Sequence, residues 1–169
     1  NGSETLTVNP LTATAIYDAA GNAAAASQSN NTATLNDQTV PTISSVSLAS
    51  DNSTIAVTMS EAVYTTTDAS SALVVGDFSL SISGGTATLS SATPSSISIS
   101  GNVYTLGISL SATPLPNGSE TLTVNPASAT AIYDGASNAA AASQSNNTAT
   151  LNDKTVPTIS SVSLASDNS

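Results

Sequence analysis

Asp51-Asn-Ser-Thr-Ile55-Ala-Val57-Thr-Met59-Ser60 opens on three turn formers and then alternates apolar with small or hydroxylated side chains. A period of two marks a strand with one buried face, where a helix would need 3.6. The alternation recurs along the chain, at Val46 and Leu48, at Phe78, Leu80 and Ile82, and at Ile97 and Ile99. It continues at Tyr104, Leu106, Ile108 and Leu110, and then at Leu122 and Val124. Turn formers separate these runs: Gly84-Gly85, Gly101-Asn102 and Pro116-Asn117-Gly118-Ser119. Seven or so short strands at regular spacing predict an all-β fold, an Ig-like antiparallel β-sandwich. One short helical turn is expected between Thr65 and Gly76. Ala139 to Ala142 are too few to nucleate a helix in water and are placed before the last strand.

The chain is internally repeated. Residues 1–53 recur as 117–169, an offset of 116, with differences at five positions only. Leu11 becomes Ala127, Thr12 becomes Ser128, Ala19 becomes Gly135, Gly21 becomes Ser137 and Gln38 becomes Lys154. A period of 116 residues reads as a tandem array of domains, because solenoid units run to 20–50 residues. The boundary is set at Asn36-Asp37-Gln-Thr-Val-Pro41 and its copy Asn152-Asp153-Lys-Thr-Val-Pro157, where proline disfavours helix and starts an edge strand. Residues 37–152 then form one complete repeat. Residues 1–36 are the C-terminal part of a preceding repeat, and 153–169 the N-terminal strand of the next, as in a window cut from a longer array.

Composition excludes several chemistries. Lys and Arg together number 1, Asp and Glu 11, His 0 and Cys 0, for a net charge of −10. One cation cannot track a phosphate backbone, so nucleic acid is excluded as a partner. A polybasic membrane anchor is excluded too, and no apolar run is long enough to insert in a bilayer. Without His or Cys there is no Ser–His triad, no thiol nucleophile and no zinc site of the usual kind. Paired carboxylates in an aromatic-lined cleft are not evident, so no enzyme is expected. The Ser- and Thr-rich, acidic, Lys-poor composition points to an extracellular or cell-surface setting.

Hard oxygen ligands remain, and they suit Ca2+. In an Ig-like sandwich the B–C, D–E and F–G loops gather at the pole where strand A begins. That places Asp37 of the linker, Glu61 after the second strand, Asp68 of the B–C loop, and Asp134 and Asn138 of the F–G loop beside one another. Asp18 and Asn22 are their F–G counterparts in the first copy, and Asp153 is the counterpart of Asp37. Like charges in one place repel, and a divalent cation reverses the sign. The alternative is that these are solvated loop acids and Asx-turn formers.

The pattern Asp-x-Thr-x-Pro-Thr, Ser-Glu-Ala-Val, Asp-Phe, Gly-Gly and Ile-Tyr-Asp-x-x-Gly-Asn resembles the bacterial Ig-like, cadherin-like tandem repeats of large surface proteins and adhesins. The resemblance covers the whole 116-residue period. It implies a β-sandwich, an extracellular structural or adhesive role, and Ca2+ near domain junctions, with Asp37, Glu61, Asp134 and Asn138 as ligands. The chain departs from the pattern at Ser137, where the first copy has Gly21, and Gly135 suggests that the left-handed turn has moved two positions earlier.

Asn1, Asn30, Asn52, Asn117 and Asn146 begin N-glycosylation sequons, and the hydroxyl-rich faces could carry O-glycans. Lys154 is replaced by Gln38 in the other copy, so the fold does not require a lysine isopeptide bond. Identical units with identical linkers generate a helical rod, whose partners are neighbouring repeats and identical chains in a stalk, surface layer or filament. The rival reading is an adhesin module recognising carbohydrate or another cell surface. Its aromatic platforms would have to come from Tyr64, Phe78, Tyr104 and Tyr133.

Overall fold

A computed structural model describes residues 1–164, 166 and 167. Its strands are β1 Thr5–Thr7, β2 Thr32–Thr34, β3 Ile43–Leu48, β4 Thr54–Met59, β5 Phe78–Ser83, β6 Ile97–Ser100, β7 Val103–Gly107, β8 Thr121–Pro126 and β9 Thr148–Thr150. The fold is all-β and every strand pair is antiparallel. Among the described residues there are three sheets, ordered β1-β2, β3-β4-β7-β6 and β5-β8-β9.

The two larger sheets share one core. Ile55, Val57 and Met59 of β4 and Tyr104 and Leu106 of β7 are buried with Phe78, Leu80, Leu122 and Val124 of the other sheet. The Phe78 and Tyr104 rings meet at 6.0 Å, tilted by 47°. Burial of each such side chain stabilises the fold by about 1.5–3 kcal/mol. In β4 the alternation is strict, with Ala56 and Thr58 on the outer face.

In β3 the alternation breaks. Ile43 is 1% exposed yet lies three residues before Val46. A register shift between Ile43 and Ser45 supplies the extra residue. A bulge of this kind re-phases the strand so that both side chains reach the core. Val75–Asp77 form the short helical turn, at the end of the expected segment, where the Asp77 carboxylate accepts from Val74 N and Thr65 Oγ1. Ala139–Ala142 form no helix, and Ala139 bridges to Tyr133 instead.

The pole where β4 ends also carries residues 37–39 and the Asp134–Asn138 loop. At the opposite pole stand the β3–β4 turn, the Asn117–Glu120 turn and residues 152–154. Glu120 is fully buried there. Its carboxylate accepts from the backbone nitrogens of Thr86, Ala87, Asn117 and Gly118 at 2.8–3.2 Å. Burial alone would push the carboxyl up, but the Ala87, Thr86 and Asn117 N–H donors outweigh it and hold it down at about 2. Gly85, at φ +56°, lies against this carboxylate, and a side chain there would overlap it.

Residues 153–164 form no strand, and Val156, Ile159, Val162 and Leu164 are all more than three-quarters exposed. The expectation of a strand is corrected for these residues. The identical residues 43–48 form β3 by pairing with β4, a place that β3 itself already takes. Residues 165, 168 and 169 of the expected strand lie outside the described residues. No helix among the described residues is long and apolar enough to cross a membrane.

Candidate metal centre

Asp37, Glu61 and Asp134 come from the segment before β3, the turn after β4 and the loop after β8. One carboxylate oxygen of each lies within 4.8 Å of the other two. Strand connectivity makes this meeting. β4 delivers Glu61 to the pole where β3 starts, and β8 runs to the same pole before the chain turns through Asp134.

Asp134 is the fixed member, with no exposed surface. Its Oδ1 accepts from Ala136 N and Asn138 N, both at 2.8 Å. Its Oδ2 accepts from Asn138 Nδ2, also at 2.8 Å. Asp37 accepts from Thr39 N at 2.8 Å, a donor that lowers its carboxyl below the ordinary range. Glu61 behaves oppositely. Burial pushes its carboxyl up, and the charges of Asp134 and Asp37 add to the rise. Glu61 therefore resists ionisation beside these two acids, an electrostatic condition that a divalent cation relieves. Three carboxylates are hard donors that fit Ca2+, which takes 6–8 oxygens in all.

Asn138 is engaged through its amide nitrogen in this arrangement. Its amide nitrogen donates to Asp134 Oδ2, to Asp37 O at 3.2 Å and to Thr39 O at 3.3 Å. The reversed amide would set its oxygen against three acceptors. Asn138 thus clasps the linker and holds Asp37 in place. Asp68 stands outside the cluster. It is exposed, accepts from Ser70 N and Oγ, and is held at about 2 by the hydroxyls of Thr66 and Ser70. It is an Asx-turn former, as the alternative reading had it.

Asp18 and Asn22 repeat the Asp134 loop bond for bond, with Asp18 Oδ1 accepting from Ala20 N and Asn22 N and Oδ2 from Asn22 Nδ2. Both are exposed, and neither belongs to an acid cluster among the described residues. Asp153 repeats the Asp37 turn, bonding Thr155 N at 2.8 Å, and is likewise exposed. The left-handed turn has not moved. Gly21 has φ +86° and Ser137, at the same position of the second copy, has φ +72°. Ser137 stays there and donates its hydroxyl to Thr67 O at 2.6 Å.

The opposite pole holds a contact that strand patterning missed. Asn52 is 2% exposed and its amide nitrogen donates to Asn152 O at 2.8 Å. That burial takes the Asn52 sequon off the surface. Asn146 is exposed and Asn117 partly so. Lys154 Nζ donates to Ser50 O at 2.9 Å on the same turn. Phe78 and Tyr104 are buried at 1% and 3% exposure, so neither offers a ring face to a sugar.

No protein-family model, no curated protein and no solved structure matches this chain.

Proposed function

We propose that the chain is a structural, extracellular tandem-repeat protein whose Ig-like units are joined pole to pole in a stalk, surface layer or filament. Sheet order supports the fold part of the reading. Lettering β3 to β9 as A to G turns β3-β4-β7-β6 and β5-β8-β9 into ABED and CFG, the constant-type Ig arrangement. The 116-residue period and the surface-protein motifs support the array.

One observation carries the junction. Asp37 is a linker residue, a member of the acid triad and a neighbour of Gly2, whose Cβ position lies 3.2 Å from Asp37 Cβ. The same side chain therefore lies close to the Gly2 turn as well as in the acid triad. Asp153 stands in the same relation to Gly118, at 3.4 Å. Ca2+ bound by Asp37, Glu61 and Asp134 would lock this joint and rigidify the rod. Thermal unfolding in Ca2+ and in chelator tests it. Ca2+ is expected to raise the melting temperature, and identical curves reject the cation. The burial of Phe78 and Tyr104 counts against the carbohydrate-binding reading.

A further inference from the structure

β6 ends the β3-β4-β7-β6 sheet and, among the described residues, has a strand on one side only. The outer strands elsewhere are tied. Leu80 N of β5 donates to Ala92 O, while β3 lies against β9 and its Ile43 N donates to Gln144 Oε1. A two-residue turn, Gly101-Asn102 with Gly101 at φ +57°, joins β6 to β7 and makes Ser100 and Val103 a bonded pair. Bonded positions recur at every second residue, so Ser98 and Ser96 follow, and Gly107 N does donate to Ser96 O. The N–H and C=O groups of Ile97 and Ile99 therefore point away from β7, along the open edge.

We propose that β6 pairs antiparallel with β6 of a second copy of this chain, across a twofold axis at Ser98. Ser96-Ile97-Ser98-Ile99-Ser100 reads the same in both directions. Centred on Ser98, the pairing sets Ile97 opposite the partner's Ile99, Ser96 opposite the partner's Ser100 and Ser98 opposite its own copy, so each face meets its like. Charge favours the same place. The chain carries −10, yet no Asp, Glu, Lys or Arg lies between Asp77 and Glu120. Two acidic copies repel, and along this edge they meet with no carboxylate in the seam and no lysine to guard it. Ile99 is 44% exposed and borders a cavity of about 250 Å3 lined by Val63, Tyr64, Leu73 and Tyr104. The partner's Ile97, lying beside Ile99, would shield this apolar wall from water.

β6 lies in the middle of the chain and the cavity wall runs from Ala62 to Tyr104, so neither end of the chain takes part. The seam is short, and stable interfaces bury about 1,200–2,000 Å2, so a single contact is weak. On the tandem-array reading, further repeats with the same edge would add such seams and strengthen the pairing. The axis sets the two chains antiparallel and closes the contact after two copies. This lateral pairing is separate from the pole-to-pole joint and from its cation.

Ser98→Cys places the only thiol of the chain on the axis. Opposite Cα atoms of an unbonded antiparallel pair stand about 4.5 Å apart, within disulfide reach. Ser100→Cys, two residues along, faces its own copy across about 14 Å, beyond that reach. In oxidised glutathione and calcium chelator, Ser98→Cys should form a disulfide-linked dimer several-fold faster than Ser100→Cys. Light scattering of the wild type in chelator, at concentrations up to about 1 mM to suit a small interface, should show the mass rising from monomer towards dimer. Added salt, which screens the net charge, should increase that rise. Ser98→Glu changes an exposed side chain and sets two carboxylates on the axis, so it should stay monomeric with an unchanged circular dichroism spectrum. Association through the poles would survive Ser98→Glu and is told apart by it. Equal oxidation of the two cysteine variants, or equal masses for wild type and Ser98→Glu, overturns the proposal.

Discussion

Asn52 and Asn152 are joined by three hydrogen bonds across a hundred residues of chain: Asn52 Nδ2 to Asn152 O at 2.8 Å, and Asn152 N and Nδ2 to Asn52 Oδ1 at 2.9 and 3.0 Å. One side chain in the β3–β4 turn thereby fixes where the chain leaves the sandwich. Asn52 adopts φ +63°, a conformation asparagine tolerates better than most residues. It thus serves as both turn former and anchor.

Asn52→Ala should lose the anchor and strain the turn, destabilising the fold by about 2–4 kcal/mol. Asn52→Gly loses only the anchor and should recover roughly 1 kcal/mol of that. Urea unfolding of the two variants checks the order. Equal midpoints would mean that the left-handed backbone carries no cost.

Glu120 makes acid stability predictable. Its carboxyl lies near 2 in the folded chain against an ordinary value of 4.5, so its contribution is complete above pH 4.5 and lost as pH falls towards about 2. Glu120→Gln keeps one acceptor oxygen and should cost about 2–3 kcal/mol near neutral pH. Its stability should then fall less than that of wild type between pH 4.5 and 2. Parallel pH profiles would show that the buried group is already protonated.

Much of this was legible because strand patterning is local. The alternation at Ile55, Val57 and Met59 and the pairing order of an Ig-like sandwich were enough to bring Glu61, Asp134 and Asp37 to one pole. Ile43 was missed because a bulge breaks the period. Glu120 was missed because its partners are backbone nitrogens, which leave no mark in a sequence. The hold of Asn138 on the Asp37–Thr39 backbone was not legible, because residue type does not say which amide atom faces which acceptor. Asp68 was misplaced because its own hydroxyl neighbours satisfy it locally.

The two copies suggest a stabilising change. Gly135 has open space at its Cβ position and lacks a left-handed φ, and the first copy carries Ala19 there. Gly135→Ala should stabilise by about 0.4–1 kcal/mol through the unfolded chain. Gly85→Ala should do the reverse, because its side chain would enter the Glu120 carboxylate. Thermal melts of the pair give opposite signs if the two backbones are as described.

Glu61 separates a cation site from a passive cluster by sign. In metal-free protein its carboxyl is raised by burial and by Asp134 and Asp37, so the folded chain binds a proton more readily than the unfolded one. Stability therefore falls as pH rises from the ordinary glutamate value through the raised one. Glu61→Gln removes that penalty and should make the chelated protein more stable at neutral pH, by up to about 1 kcal/mol. It should also remove one oxygen donor and flatten the Ca2+ response. A merely solvated acid gives neither effect, and a structural glutamate gives destabilisation in both conditions. Melts of wild type and Glu61→Gln, each in Ca2+ and in chelator, distinguish the three cases, and a variant less stable than wild type in chelator rejects the electrostatic account of the junction.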